Sequence, residues 1–367
     1  MIKYLDVFFN SSLVGTLGFS NKKIIFSYSE TWLEEGFSIS PFYLPLRKEV
    51  FTCNHNKFNG LFGVFNDSYV DSWGELLIER YIKSKGIKYN ELSILDKLSL
   101  IGSVTMGGLT YKPCSDIKIY PNNISFDELY DDINNIIENK TTNNIDDLFS
   151  LGGSSGGTRP KILTKINQKD VIVKFRAKID PIDIARKEYL YFKYASKLGI
   201  NVPSVDLIKG KRSDYFVIER FDKQDEVRKF VISASGLLEC DYNVPCLDYL
   251  DLFKLTSILT NNDKNELLEL YRRMVFNVIF ENKDDHSKNF SYIYNPNNKH
   301  YELSPAYDLT PSITYFGEHT TSVNHKGKDI LDSDMIYVAS MYGISKVVAE
   351  DIIQNAKKLK EEYDKEV

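Results

Sequence analysis

Asp284, Asn289 and Asp308 are spaced for phosphoryl transfer. The first two bracket the run Asp284-Asp285-His286-Ser287-Lys288-Asn289, and Asp308 follows nineteen residues later in Ala306-Tyr307-Asp308-Leu309. Phosphoryl transfer asks a protein mainly to hold a nucleophile in line and to offset charge on phosphate oxygens. In such a site the first Asp orients the attacking hydroxyl as general base, while the Asn and the later Asp are hard oxygen ligands for Mg²⁺. A polar turn is the plain alternative for Asp284 and Asn289 alone, because the chain is rich in Asn, Asp and Lys. The flanks favour the site. Phe290 to Tyr294 and His300 to Leu303 read as short strands around a turn at Asn295 to Asn298, a hairpin that carries the chain from the loop to Asp308.

Such a site needs groups for the nucleotide, and the chain offers them upstream in order. Leu151-Gly-Gly-Ser-Ser-Gly-Gly-Thr-Arg-Pro-Lys161 is a glycine-rich loop whose backbone N–H groups could approach phosphates closely. It matches neither G-x-G-x-x-G nor the Walker pattern, and a flexible linker is its alternative reading. Strands at Ile162 to Ile166 and Val171 to Phe175 follow, joined by a turn at Asn167 to Asp170. Lys174 lies on the second strand, placed to reach phosphates. A helix is expected with Asp180 as N-cap, Pro181 at N1 and Gly199 past its end. Glu188 on that helix could pair with Lys174, and Tyr215 to Glu219 is a further strand. Glu219-Arg220-Phe221 then forms a hinge whose backbone could bond an adenine; a simple Glu–Arg charge pair is the competing explanation. From about residue 246 the pattern turns helical. Leu267, Tyr271, Met274 and Val278 share one face behind a cap at Asp263, and Val348, Ile352, Ala356 and Leu359 share another behind Ser345.

The first hundred residues read as β-rich, with strands at Tyr4 to Phe9, Leu13 to Leu17 and Ile24 to Tyr28, and a helix from Ser72 to Lys85 ending at Gly86. Residues 113–147 shift towards Asn, Asp, Ile and Lys; one acidic helix from Phe126 to Glu138 is expected there, the rest being linker. The expected organisation is an N-terminal β-rich subdomain over 1–112, a linker and helical insert over 113–147, a strand-rich lobe with glycine loop and hinge over 148–222, and a helical lobe with the catalytic loop over 223–367. The fold class is α+β, two-lobed and protein-kinase-like.

Composition bounds the rest. With 367 residues, 43% hydrophobic and 26% charged, the chain can bury sizeable cores. A net charge of −5 argues against a protein that grips nucleic acid through its overall field. No apolar run reaches membrane-spanning length, and the N-terminus has no signal-peptide pattern, so a cytoplasmic location is expected. Four cysteines without C-x-x-C spacing point to reduced thiols rather than a disulfide framework or zinc site. There are no internal repeats.

Gly156-Gly-Thr-Arg-Pro-Lys161, Val173-Lys174, Lys187-Glu188-Tyr189, Val217-Ile-Glu-Arg-Phe-Asp222, Asp284-x-His286-x-Lys288-Asn289-Phe-Ser291 and Tyr307-Asp308 together resemble the HipA-like serine/threonine kinases, toxins of bacterial toxin–antitoxin pairs. Val14-Gly-Thr-Leu17 and Leu44-Pro-Leu-Arg47 resemble that family's N-terminal subdomain, so the likeness runs nearly the length of the chain. It implies Asp284 as catalytic base and Asn289 and Asp308 as Mg²⁺ ligands. It also implies an ATP site made from Gly156, Gly157, Thr158, Arg159, Pro160, Lys161, Lys174, Glu219, Arg220, Phe221, His286, Lys288, Asn289, Tyr307 and Asp308. A serine ahead of the glycine loop would be autophosphorylated, either Ser154 or Ser155. Partners implied are a helix-turn-helix antitoxin that binds operator DNA and a protein substrate such as an aminoacyl-tRNA synthetase. The segment beyond Thr314 carries no part of the likeness. Other readings are a small-molecule kinase on a related fold, or a non-catalytic module holding a DNA-binding partner.

Overall fold

The computed structural model describes residues 2–102, 104–114, 125–152, 157–225, 227–312 and 314–367. They divide into two compact units, one of residues 1–185 with 206–232, the other of residues 186–205 with 233–367.

In the first unit, alternation of apolar and polar residues builds an antiparallel sheet of β1 (Tyr4–Phe9), β2 (Ser12–Ser20), β3 (Lys23–Tyr28), β4 (Phe51–Thr52) and β5 (Leu109–Lys112), in the order β4-β3-β2-β1-β5. Leu5, Val7, Val14, Leu17 and Phe26 line its buried face. Helix α1 (Ser72–Ser84) packs against α3 (Ile145–Gly152), where the rings of Tyr81 and Phe149 stack at 4.0 Å. Between them in sequence lies α2 (Phe126–Ile137), closed by a Ser125–Glu128 capping box. Helix α3 corrects the linker expected up to residue 147: its sequence is short and acidic at the start, and its stability comes from burying Leu148, Phe149 and Leu151.

A second sheet in this unit comprises β6 (Lys161–Ile166), β7 (Lys169–Lys174), β8 (Val205–Lys209) and β9 (Asp214–Glu219), ordered β6-β7-β9-β8. The β6–β7 connection is tighter than the four-residue turn expected. Only Asn167 and Gln168 lie in it, both at positive φ (50° and 66°), the conformation of a two-residue hairpin turn. That turn fixes the register, and the register sets Lys161 directly opposite Lys174. The neighbouring pair Ile162–Val173 is fully buried on the other face.

The second unit is mostly helical: α4 (Ile184–Lys197, its body from Arg186), α5 (Tyr249–Leu259), α6 (Lys264–Ile279), α7 (Asp332–Met341) and α8 (Lys346–Glu366). Helix α4 starts later than expected. Asp180 is not its N-cap; the Asp180 carboxylate instead accepts the Ala177 N–H at 3.0 Å and closes a separate turn. Asp263 and Ser345 do cap α6 and α8. The apolar faces differ from expectation. On α8 the buried stripe is Ala349, Ile353, Ala356, Leu359 and Tyr363, one residue away from Val348 and Ile352 at its start. Helix α6 is buried nearly all round, including Arg273 and Asn277, so a single stripe underestimates it. Phe276 and Phe280 stack at 4.2 Å, and Tyr191 and Tyr363 pack edge-on against Phe280. The hairpin β11 (Ser291–Asn295) and β12 (His300–Leu303) forms as its sequence suggests, and β10 (Leu247–Asp248) pairs in parallel with β13 (Thr321–Ser322). No described helix is long and apolar enough to cross a membrane.

Candidate active site

The first unit holds the candidate phosphate-binding groups. Gly156 of the glycine-rich loop, with Ser154 and Ser155, lies outside the described residues. From Gly157 onward the loop is well held. Gly157 has φ +88°, its N–H donates to the Asp71 carboxylate at 2.5 Å, and a Cβ there would sit 2.6 Å from the Lys161 ammonium. The positive φ is what favours glycine here, since the Lys161 tip is the end of a flexible side chain. Thr158 is exposed, Arg159 lies 3.8 Å from the Asp180 carboxylate, and Pro160 is buried, its carbonyl accepting the Phe175 N–H at 2.8 Å. Trp73 Nε1 donates to the Lys161 carbonyl at 3.0 Å, so α1 braces the start of β6.

Lys161 is buried and Lys174 half-buried, on one face of the hairpin and in direct cross-strand register. Opposed strand residues have Cβ atoms about 5 Å apart, so this face of the hairpin carries two basic side chains side by side. The Lys174 ammonium also lies 5.6 Å from the ring of Phe216, its partner on β9.

The hinge departs from a simple Glu–Arg pair. Glu219 takes Lys169 at 2.8 Å, while Arg220 makes a bidentate, buried pair with Asp222 at 2.9 and 2.7 Å. Arg220 donates its backbone N–H to the Asp170 carbonyl at 2.9 Å. Asp222 also accepts the Gly107 N–H at 2.8 Å. Burial alone would raise the Asp222 carboxyl; the Arg220 charge and these hydrogen bonds outweigh it and hold the pKa below the ordinary carboxylate value. Phe221 follows Arg220 at the end of β9, half-buried.

The second unit holds the candidate base and metal ligands, together with Glu188, which is buried on α4. Asp284 is exposed, 59% by its side chain, and its backbone N–H donates to Ser312 Oγ at 2.8 Å. Asn289 Nδ2 donates to the Asp284 carbonyl at 2.8 Å, which orients Oδ1 as a hard oxygen donor. His286 Nε2 lies 3.9 Å from the Asp284 carboxylate, and Nδ1 has no hydrogen-bond partner among the described residues. Asp308 sits at φ +51°, a left-handed conformation that costs a non-glycine residue about 1–2 kcal/mol, least for Asp and Asn. Strain of this kind collects at functional sites. Tyr307, just before it, donates its hydroxyl to the Lys288 carbonyl at 2.6 Å and is hydrogen-bonded to Ser291, tying the Asp308 segment to the loop.

Magnesium in a nucleotide site takes one or two carboxylates, phosphate oxygens and water rather than a protein cage. Asn289 and Asp308 fit that donor set, and among the described residues no three His, Cys, Asp or Glu side chains form a cage.

Sequence reasoning missed two features. Cys240 and Cys246 form a disulfide, against the expectation of reduced thiols, because the chain folds back over a sequence separation of 6 and brings their Cα atoms to 6.6 Å. The loop between them carries Tyr242, whose ring lies 5.6 Å from that of His286 and 4.8 Å from the Lys288 ammonium. The second feature is Asp285, treated as a spacer by the motif. It is buried and receives four hydrogen bonds, three of them from residues 319–321, the segment with no expected part.

These residues match known proteins. The profile of the HipA-like C-terminal domain matches residues 153–363, and that of the HipA N-terminal domain matches residues 5–112. A putative kinase of Haemophilus influenzae is 26% identical over 147 residues, covering 36% of this chain and 42% of the relative. The putative kinase Y4dM of Sinorhizobium fredii is 28% identical over 156 residues, covering 38% of this chain and 37% of the relative. These matches thus span about two fifths of the relatives' length. The HipA solved from Shewanella oneidensis, in a complex with HipB and operator DNA, superposes with a TM-score of 0.73 at 17% identity. That superposition covers 98% of this chain and 90% of the other, a likeness of the whole kinase-like fold. Matched by both domain profiles and built on that fold, the chain belongs to the HipA family.

Proposed function

We propose that this protein is an ATP- and Mg²⁺-dependent serine/threonine protein kinase that acts as the toxin of a toxin–antitoxin pair. The observation that carries the reading is the loop from Asp284 to Asn289. An exposed carboxylate stands on a backbone whose own carbonyl is held by Asn289, while Asp308 is kept in a strained left-handed conformation nearby in sequence. Asp284 orients the substrate hydroxyl and accepts its proton. Asn289 and Asp308 hold Mg²⁺, which when bound offsets charge on the phosphate oxygens. Lys161 and Lys174, opposed across β6 and β7, bind phosphates together with Gly157, Thr158 and Arg159 of the loop, whose Gly157 N–H is held by Asp71. The hinge from Glu219 to Phe221 takes the adenine through backbone groups. His286, Lys288 and Tyr307 complete the loop's face.

The family's N-terminal and C-terminal domains are both present, and the solved Shewanella relative is complexed with HipB and operator DNA. By that analogy the partner is a helix-turn-helix antitoxin, and DNA is reached only through it. The substrate proposed is a component of translation such as an aminoacyl-tRNA synthetase, with Ser154 or Ser155 as the site of self-inactivation and the cytoplasm as the place of action.

Calorimetry with Mg-ATP separates the roles. Asp284→Asn should bind the nucleotide and fail to turn it over, while Asp308→Asn should lose Mg²⁺-dependent binding as well. Normal Mg-ATP binding by both variants sinks the metal assignment. Expression of wild type without a partner should arrest growth and Asp284→Ala should not; an equally toxic variant favours a non-catalytic binding module. Phosphoproteomics of the same strains identifies the substrate. Intact mass after incubation with Mg-ATP, for wild type beside Ser154→Ala and Ser155→Ala, tests the self-inactivation.

A further inference from the structure

Asp284 and Asp285 are adjacent, yet one is exposed and the other wholly buried. The buried one is fully engaged. Asp285 Oδ2 accepts from the Tyr249 hydroxyl at 3.2 Å and from His319 Nδ1 at 3.0 Å, and Oδ1 accepts from the N–H groups of Thr320 at 3.0 Å and Thr321 at 3.1 Å. His319 is buried too, with 5% of its side chain exposed. A carboxylate in so dry a place is retained only when its lone pairs are satisfied. Here four donors satisfy them.

The same segment grips the backbone on both sides of Asp284. The Lys283 carbonyl accepts from both Thr320 N–H and Thr320 Oγ1 at 3.0 Å, and the Asp285 carbonyl accepts from Thr321 Oγ1. Deeper in the unit, Tyr249 receives Asn277 Nδ2 at 2.9 Å, and Asn277 Oδ1 receives Asn282 Nδ2 at 2.9 Å. Residues 282, 283 and 285 are therefore each held by a hydrogen-bond partner, Asn277, the half-buried Thr320 and the donors on Asp285, while the Asp284 side chain is exposed. The loop has no regular secondary structure here, so this network supplies the rigidity that a helix or strand supplies elsewhere.

We propose that Asp285 and His319 are positioning residues for phosphoryl transfer: a buried carboxylate–imidazole pair that holds the segment 319–321 under the loop and thereby aims Asp284. The inference rests on the kinase reading above. Loss of the pair should release the loop and misplace the base, and a misplacement near 1 Å can slow catalysis by about a hundredfold. Nucleotide affinity should be little changed, since neither residue is among the groups proposed to touch ATP.

The experiment compares full-length wild type, His319→Phe and His319→Asn. Asparagine places an amide N–H where imidazole Nδ1–H stood, and phenylalanine keeps the volume but removes the donor. Steady-state Mg-ATP turnover gives kcat and KM, and amide hydrogen exchange reports on residues 283–289. His319→Phe should lose kcat by about a hundredfold, with KM for ATP within about twofold and faster exchange in the loop. His319→Asn should recover at least about a tenth of wild-type turnover. A folded His319→Phe with wild-type kcat overturns the proposal, as does a parallel rise in KM or an asparagine variant no better than the phenylalanine one. Should His319→Phe fail to fold, Tyr249→Phe, which removes another donor to the same carboxylate, is judged by the same split between kcat and KM. A wild type that turns over no Mg-ATP overturns the kinase reading instead, and exchange in the loop still decides whether the pair holds it.

Discussion

The two candidate regions are built by opposite means. Lys161 and Lys174 are placed by strand register, set by the two-residue turn at Asn167 and Gln168 and anchored by the buried Ile162–Val173 pair beside them. The Asp284 loop has no extended ladder to place it; it is held chiefly through the buried Asp285 carboxylate, which two side-chain and two backbone donors engage. A site on strands tolerates loss of one functional side chain, because the backbone carries the geometry. A site on irregular backbone depends on polar groups remote from the chemistry, and those groups are satisfied only in the folded state. The first region takes its order from a strand ladder; the second takes its order from hydrogen bonds to one buried carboxylate.

The comparison breaks most visibly at the base. Asp284→Asn should lower phosphoryl transfer by about 10²- to 10⁴-fold, the usual contribution of a general base, with the thermal midpoint unchanged because the side chain is exposed. A large fall in the midpoint would mean that Asp284 supports the loop rather than acts from it.

The buried pair at the hinge tests whether register alone places the lysines. Asp222→Ala leaves Arg220 charged and buried and should cost about 3–5 kcal/mol of stability, while nucleotide affinity of the folded variant stays near wild type. The pair also gives the stability a pH dependence. The Asp222 carboxyl lies below its ordinary value when folded. Its contribution is therefore complete above the unfolded carboxyl value near 4 and is lost as pH falls below it. Urea midpoints should fall more steeply in wild type than in Asp222→Asn below about pH 4; parallel curves would remove the charge from the account.

Lys174→Met should remove a charge-assisted contact to phosphate and weaken Mg-ATP binding by about 1.5–3 kcal/mol, with the ligand-free thermal midpoint little changed because the buried pair Ile162–Val173 anchors the hairpin. A destabilised ligand-free variant would show that Lys174 is a structural partner first. The smallest effect is expected at Gly157. Gly157→Ala forces a Cβ into a positive-φ position against Lys161 and should cost about 1 kcal/mol or somewhat more, seen as a modest loss of Mg-ATP affinity by calorimetry.

Much of this was legible locally. The hairpin between Asn289 and Asp308, the caps at Asp263 and Ser345 and the strands β1, β2, β3, β6, β7 and β9 follow from short-range rules, since turn residues, alternation and cap chemistry act within a few positions. Strands β4, β5 and β8 gave no such signal. Where local signals were weak or competing, packing decided. Helix α3 exists because Phe149 and its neighbours are buried against α1. Asp180 closes its own turn rather than starting a helix, and on α8 Ala356 and Leu359 are buried as expected while the start of the stripe shifts by one residue, to Ala349 and Ile353.

The sequence by itself determined the family, the order of most elements and the candidate residues for phosphoryl transfer, since residue type and spacing are properties of the chain. Only the tertiary structure decided which of two neighbouring aspartates faces solvent. Asp285 and His319 are 34 residues apart, and Asp285 and Tyr249 are 36 apart. Nothing at short range distinguishes Asp284 from Asp285. The difference arises because burying a carboxylate is tolerable only where donors from distant segments converge, and that convergence exists in the folded chain alone.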